Sequence, residues 1–132
     1  MDSRVASCLC EQLMVTCNGE PVRISVCHCL NCQKRSGSSF AAQARWPTER
    51  VETKGSFREY VRAGEDGSAC TFRFCTNCGG TVSYVHDGMP DVTAVAVGAF
   101  ADPQFPKPDY SVYEERAHSW VKITGEGIEH FD

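Results

Sequence analysis

Hydrophobic residues recur along this chain mostly at every second position, in short runs broken by Gly, Pro, Asn and Asp. That period belongs to strands, whose side chains alternate between two faces. Arg4 to Cys10 is expected as a first strand and Leu13 to Cys17 as a second, with Leu13, Val15 and Cys17 on one face. Asn18-Gly19-Glu20-Pro21 reads as a turn by its residue types. Val22 to Cys27 is then expected to return as the hairpin partner of the second strand. Val22, Ile24 and Val26 share its apolar face, and Arg23, Ser25 and Cys27 share the other.

Leu30 to Gly37 breaks the alternation and predicts a short helical turn, closed by a glycine. Strands resume at Phe40 to Trp46, Arg50 to Lys54, Phe57 to Arg62 and Ala69 to Phe74, with a polar loop at Ala63 to Ser68. Thr81 to His86 and Asp91 to Val97 follow around a turn at Asp87-Gly88. The run Val92 to Val97 is apolar on both faces, which places it inside a packed sheet. Ala101 to Pro108 is proline-rich and reads as an irregular crossing, with a last strand expected near Val121 to Thr124. There is no internal repeat and no long amphipathic helix. The pattern is mainly β.

A chain of 132 residues is one domain by length, taken here as residues 1–132. The formal net charge is −4. If seven thiolates held two zinc ions, they would add a net −3 to that −4, giving about −7. Nucleic-acid binding is disfavoured, because it needs a clustered basic surface and the densest cluster is only Lys34-Arg35. No leader segment and no run near the roughly 20 apolar residues of a membrane span are seen. A cytoplasmic protein without membrane partners is expected.

The nine cysteines change the picture most. Their odd number and close spacings suit metal ligation better than a secreted disulfide framework. Seven fall into three groups: Cys8-Leu9-Cys10, Cys27-His28-Cys29-Leu30-Asn31-Cys32 and Cys75-Thr76-Asn77-Cys78. A closed zinc site takes four ligands. The two pairs, Cys8 and Cys10 with Cys75 and Cys78, make one such site, expected to be structural. On an extended strand Cys8 and Cys10 would share a face and grip one ion together. The trio Cys27, Cys29 and Cys32 stands apart with three ligands, the count of a catalytic zinc with an open position. Other readings are a trio joined to one of the pairs, an iron–sulfur cluster, or a second closed site completed by His28, His86 or His118. Cys17 and Cys70 read as small buried residues.

These three groups in this order, with Gly37 after the trio and Phe74 and Gly79-Gly80 around the last pair, resemble the glutathione-dependent formaldehyde-activating enzyme family, which includes centromere protein V. His118-Ser119-Trp120 is similar to that family's C-terminal region. The resemblance implies a β-tent of bent antiparallel sheets around a structural zinc held by Cys8, Cys10, Cys75 and Cys78. It implies a second, catalytic zinc on Cys27, Cys29 and Cys32, approached by glutathione or another thiol. The implied activity is that of a carbon–sulfur lyase or synthase, of the S-(hydroxymethyl)glutathione synthase type, acting on adducts of glutathione as cosubstrate with a small aldehyde such as formaldehyde. A zinc with three thiolate ligands is a mild Lewis acid, suited to thiol chemistry. His118 is a candidate proton carrier. The residues that contact glutathione lie outside the cysteine motifs and are not assigned. A zinc module that binds glutathione or a protein without catalysis is the alternative. The related fold of the methionine sulfoxide reductases needs a reactive cysteine in the C-terminal part, and the last cysteine here is Cys78.

Overall fold

A computed structural model describes residues 2–64 and 67–132 of the chain. The strands are β1 (Ser3–Ser7), β2 (Met14–Asn18), β3 (Arg23–Cys27), β4 (Ala41–Pro47), β5 (Val51–Lys54), β6 (Phe57–Ala63), β7 (Ala69–Cys75), β8 (Thr81–His86), β9 (Val92–Ala96), β10 (Tyr110–Val112) and β11 (Glu129–His130). One α-helix, α1 (Leu30–Ser36), lies between β3 and β4. The mainly β expectation holds. The helix ends as its residues dictate: Gly37 takes the left-handed conformation at φ 69° and donates its N–H to Gln33 O. Of the expected loop Ala63 to Ser68, residues 65 and 66 lie outside the described residues.

The strands form two bent sheets. A three-stranded sheet has the order β1-β2-β5, and an eight-stranded sheet the order β11-β10-β3-β4-β9-β8-β7-β6. Val15 and Cys17 of the small sheet, with Leu13 just before β2, face Ile24, Ala44, Trp46, Val82 and Val95 of the large one in a common core. Leu13, Val15, Val82 and Val95 are fully buried, each contributing about 1.5–3 kcal/mol of apolar burial. As its two-sided apolar pattern requires, β9 lies inside the large sheet, between β4 and β8.

Three expectations change. First, β2 and β3 do not form a hairpin: β2 pairs with β1 and β5, while β3 pairs with β4 and β10. Alternation defines the faces of a strand but not its partner. The segment after β2 is drawn to the large sheet instead, where Trp46 Nε1 donates to Gly19 O at 2.9 Å and Val22 N to Arg45 O at 2.7 Å. Val22 thereby leaves the core and is exposed.

Second, β1 stops at Ser7, and Cys8 to Cys10 belong to the connection between β1 and β2. Glu11 N donates to Cys8 O and Cys8 N to Leu13 O, closing that connection around the cysteines. A turn brings two sulfurs closer than the pleat of a strand can.

Third, Val121 to Thr124 forms no strand. The last strands are instead β10 and β11, and β10 runs parallel to both β3 and β11. The antiparallel expectation fails at this edge because the crossing segment delivers the chain to β3 in the same direction. Asp109 anchors the register: its carboxylate accepts Ile24 N at 3.0 Å and its own N–H donates to Ile24 O at 2.7 Å.

Candidate metal centres and the cleft between them

The four sulfurs of Cys8, Cys10, Cys75 and Cys78 all lie within 4.8 Å of one another. Cys10 Sγ is 3.6 Å from both Cys8 Sγ and Cys75 Sγ. Tetrahedral zinc with Zn–S bonds of about 2.3 Å needs sulfurs roughly 3.8 Å apart, so this donor set fits one ion. The sulfurs are also supplied with donors. Leu13 N reaches Cys8 Sγ at 3.3 Å, and Asn77 N, Cys78 N and Gln12 Nε2 reach Cys75 Sγ at 3.2, 3.4 and 2.8 Å. Burial acts to raise the Cys75 thiol, but these N–H groups outweigh it and hold the group down to about 6. Gly79, at φ 78°, closes the knuckle by donating to Cys75 O.

Cys27, Cys29 and Cys32 form the second cluster, again with all sulfurs within 4.8 Å. Three different local devices deliver them. Cys27 ends β3 on the face opposite Ile24 and Val26, paired with Ala41. Cys29 caps α1, its sulfur accepting Cys32 N at 3.4 Å. Cys32 occupies the first turn of the helix. Hydrogen bonds from the Cys27 and Cys32 thiols hold the Cys29 thiol well down, and the same coupling pushes Cys27 up. Three converging sulfurs, one already favouring the thiolate, fit a thiophilic ion such as zinc.

Among the described residues no fourth His, Cys, Asp or Glu joins this trio. His28 lies between two of its members in sequence but is buried at 1% exposure, with Nε2 3.0 Å from Ser111 Oγ. Burial pushes its imidazole below the usual range. His86 is at the far end of β8, where its Nδ1 accepts Gly88 N. His118 is exposed and touches the cysteine loop through one intermediary. Its Nε2 is 3.0 Å from Gln33 Oε1, and Gln33 Nε2 donates to His28 O at 2.8 Å. Cys17 is fully buried in the core, its thiol pushed up to about 12 by burial, while Cys70 is only half-buried.

A cleft of about 660 Å³ lies between α1, the start of β4 and the knuckle at Cys78, Gly79 and Gly80. Arg35 and Ser36 of α1, Phe40 and Ala41 at the start of β4, and Gly80 of the knuckle are among its walls. Cys78 of the four-cysteine cluster lines it directly, whereas the trio is linked to it through neighbours: Ala41, the pairing partner of Cys27, and Arg35, three residues after Cys32 on α1. Its size is that of a small-ligand site. The spacing arithmetic of the cysteines identified both clusters. It did not find Gln12, Gln33, Arg35 or Ser111, because single polar residues carry no periodic signal.

Comparison with known proteins places this geometry. A crystal structure of a Rhodobacter sphaeroides protein matches with a TM-score of 0.56 at 16% identity, covering 77% of this chain and 90% of that one. That likeness speaks to the fold alone. No curated protein matches the chain. Among the described residues no helix is long and apolar enough to cross a membrane. The family described as glutathione-dependent formaldehyde-activating enzyme matches residues 3–116, a span that includes all seven clustered cysteines. The chain therefore belongs to the glutathione-dependent formaldehyde-activating enzyme family.

Proposed function

We propose that this protein is a zinc-dependent carbon–sulfur lyase or synthase, of the S-(hydroxymethyl)glutathione synthase type, which handles the adduct of glutathione, or another thiol, with a small aldehyde such as formaldehyde. The observation that carries the reading is the trio of Cys27, Cys29 and Cys32, without a fourth His, Cys, Asp or Glu among the described residues, beside a ligand-sized cleft. Zinc held there supplies acidity to a thiol or polarises a carbonyl. The reaction needs no oxidant. The thiol sulfur bonds to the aldehyde carbon, the C=O becomes C–OH, and the thiol proton ends on that oxygen; the lyase direction reverses each change.

The chain's own residues supply position and a path for that proton. Cys27, Cys29 and Cys32 would hold the ion. Phe40 and Ala41 give the cleft an apolar side, and Arg35 a charged one. Gln33 clamps the loop by donating to His28 O and to Arg116 O, and we assign the proton-carrying role to His118, hydrogen-bonded to that glutamine. Cys8, Cys10, Cys75 and Cys78 would hold the structural zinc, tying the end of β1 to the end of β7. Residues 1–132 act as one zinc-binding domain with two ions, and the many reduced thiols suit the cytoplasm.

The test is the rate of S-hydroxymethylglutathione formation from glutathione and carbon-13 formaldehyde, followed by NMR exchange. Acceleration by the zinc-loaded protein, lost in Cys29→Ser, is the expected result. A rate equal to that without protein, despite saturable glutathione binding, would instead establish a non-catalytic binding module.

A further inference from the structure

Two guanidinium groups lean on one aromatic ring, and among the described residues neither is paired with an acid. Arg35, from α1, stands 5.0 Å from the ring centroid of Tyr84 and 5.5 Å from that of Phe72. Arg45, from β4, stands 6.0 Å from the same Tyr84 ring. Arg45 is only 9% exposed. Its side-chain hydrogen bonds go to neutral oxygens, Ser25 Oγ at 3.1 Å and Tyr84 OH at 3.5 Å. The ion pairs among the described residues are made by Arg4, Arg73, Arg116 and His130, and neither Arg35 nor Arg45 takes part. A buried cation is ordinarily paired. The shortage is not one of acids, since the chain has 17 Asp and Glu against 13 Lys and Arg.

The thiolate trio is the first candidate counter-charge, because Arg35 follows Cys32 on α1. Three thiolates around one zinc leave about one negative charge, which does not balance two guanidiniums. A second polar vacancy lies on the same strand. Ala41, Gln43 and Arg45 alternate onto one face of β4, leading inward from the cleft wall at Ala41. Gln43 is 2% exposed and its Nε2 is satisfied by Ser25, yet its Oε1 is buried with no donor. Opposite Gln43 and Arg45 on β9 stand only Ala96 and Ala94. The face offers positive charge, and among the described residues no acid pairs with it.

We propose that the cleft reads a carboxylate: the thiol it admits carries an acidic group held by Arg35, with Arg45 as a fixed positive charge behind it. This rests on the reading above that a thiol occupies the cleft, and it adds a substrate class and the residue that selects it. The rings of Tyr84 and Phe72 hold the Arg35 guanidinium in place before the ligand arrives, so little side-chain freedom is lost on binding. An uncharged or cationic thiol of the same size gains nothing from this arrangement.

Calorimetric binding to the zinc-loaded protein tests it, using glutathione and its diethyl ester, which keeps the thiol and masks both carboxylates. We expect wild type to bind glutathione on the order of tenfold more tightly than the ester. Arg35→Gln should bring glutathione down to the affinity of the ester with zinc content unchanged, and Arg35→Lys should keep part of the preference. Equal affinity of the two ligands for wild type overturns the proposal. So does an Arg35→Gln protein that weakens both ligands alike, or that loses zinc while still preferring glutathione, since Arg35 would then serve the metal site. If Arg35→Gln does not fold, the wild-type comparison and Arg35→Lys still decide. Adduct formation measured on the same samples separates the two levels: carboxylate preference without catalysis sinks the enzyme reading alone, and catalysis indifferent to the ester sinks this proposal alone. Failure of wild type to bind either ligand overturns both.

Discussion

Gln12 Nε2 donates to the sulfur of Cys75 at 2.8 Å, joining the β1–β2 connection to the end of β7. The same amide holds the turn before β6, donating to Ser56 O at 2.7 Å and accepting Ser56 N at 2.9 Å. One side chain therefore links three separate segments around the four-cysteine cluster. Gln12→Ala should cost about 1 kcal/mol, as the buried Cys75 sulfur and the exposed Ser56 backbone lose their hydrogen bonds to it, and should speed zinc release to a chelator. Unchanged melting together with unchanged release kinetics would show that Gln12 is a bystander.

Gly55 packs against that glutamine. Its φ is 108°, and a Cβ there would run into the Gln12 carbonyl. Gly37 also has a positive φ, 69°, but open space where its Cβ would be. Gly55→Ala should therefore lower stability by more than the roughly 1 kcal/mol expected of Gly37→Ala from backbone strain alone. Denaturant midpoints of the two variants make the comparison, and equal losses would refute the clash.

The two cysteine clusters should fail differently. The trio sits at one end of β3 and on a seven-residue helix, whereas the four-cysteine cluster bridges the two sheets, with Cys8 and Cys75 in the core. Metal analysis of Cys29→Ser should find about two zinc ions per chain reduced to one, with the far-UV spectrum retained. Cys78→Ser should unfold or aggregate. A folded Cys78→Ser protein that still carries one zinc would reverse the assignment of structural and catalytic sites.

Acid stability should depend on Glu114. Burial acts to raise its carboxyl, but the His130 ring nitrogen at 2.8 Å, a hydrogen bond from Ser111 and the charges of His130 and His28 outweigh that and hold it below its ordinary value of 4.5. Depression in the folded state means stabilisation that is present above the ordinary value and lost as pH falls through the depressed one. Glu114→Gln should cost up to about 1 kcal/mol near neutrality and nothing in strong acid. Parallel stability–pH curves for the variant and wild type would exclude the effect.

Much of the strand content was legible because its cause is local. Alternation at Leu13, Val15 and Cys17 fixes one face, and all three are buried. The two-sided apolar run of β9 announced an interior strand. Partner choice was not legible, because it depends on which edges are free when the chain collapses. The β2–β3 hairpin fails for that reason, drawn apart by the bond from Trp46 to Gly19. Strands of two or three residues, such as β10 and β11, are too short for periodicity to register.

The sequence by itself determined the two groupings of sulfur. Ligand number is a matter of counting, and spacings of one and two residues leave few geometries open. Only the tertiary structure decided what surrounds the trio: the cleft beyond Ala41 and, among the described residues, the absence of an imidazole from its sulfurs and of an acid from Arg35 and Arg45 over Tyr84. Those features arise where α1 meets β4, β7 and β8. Contacts between segments so far apart in the chain are set by packing of the whole sheet, which leaves no local pattern to read.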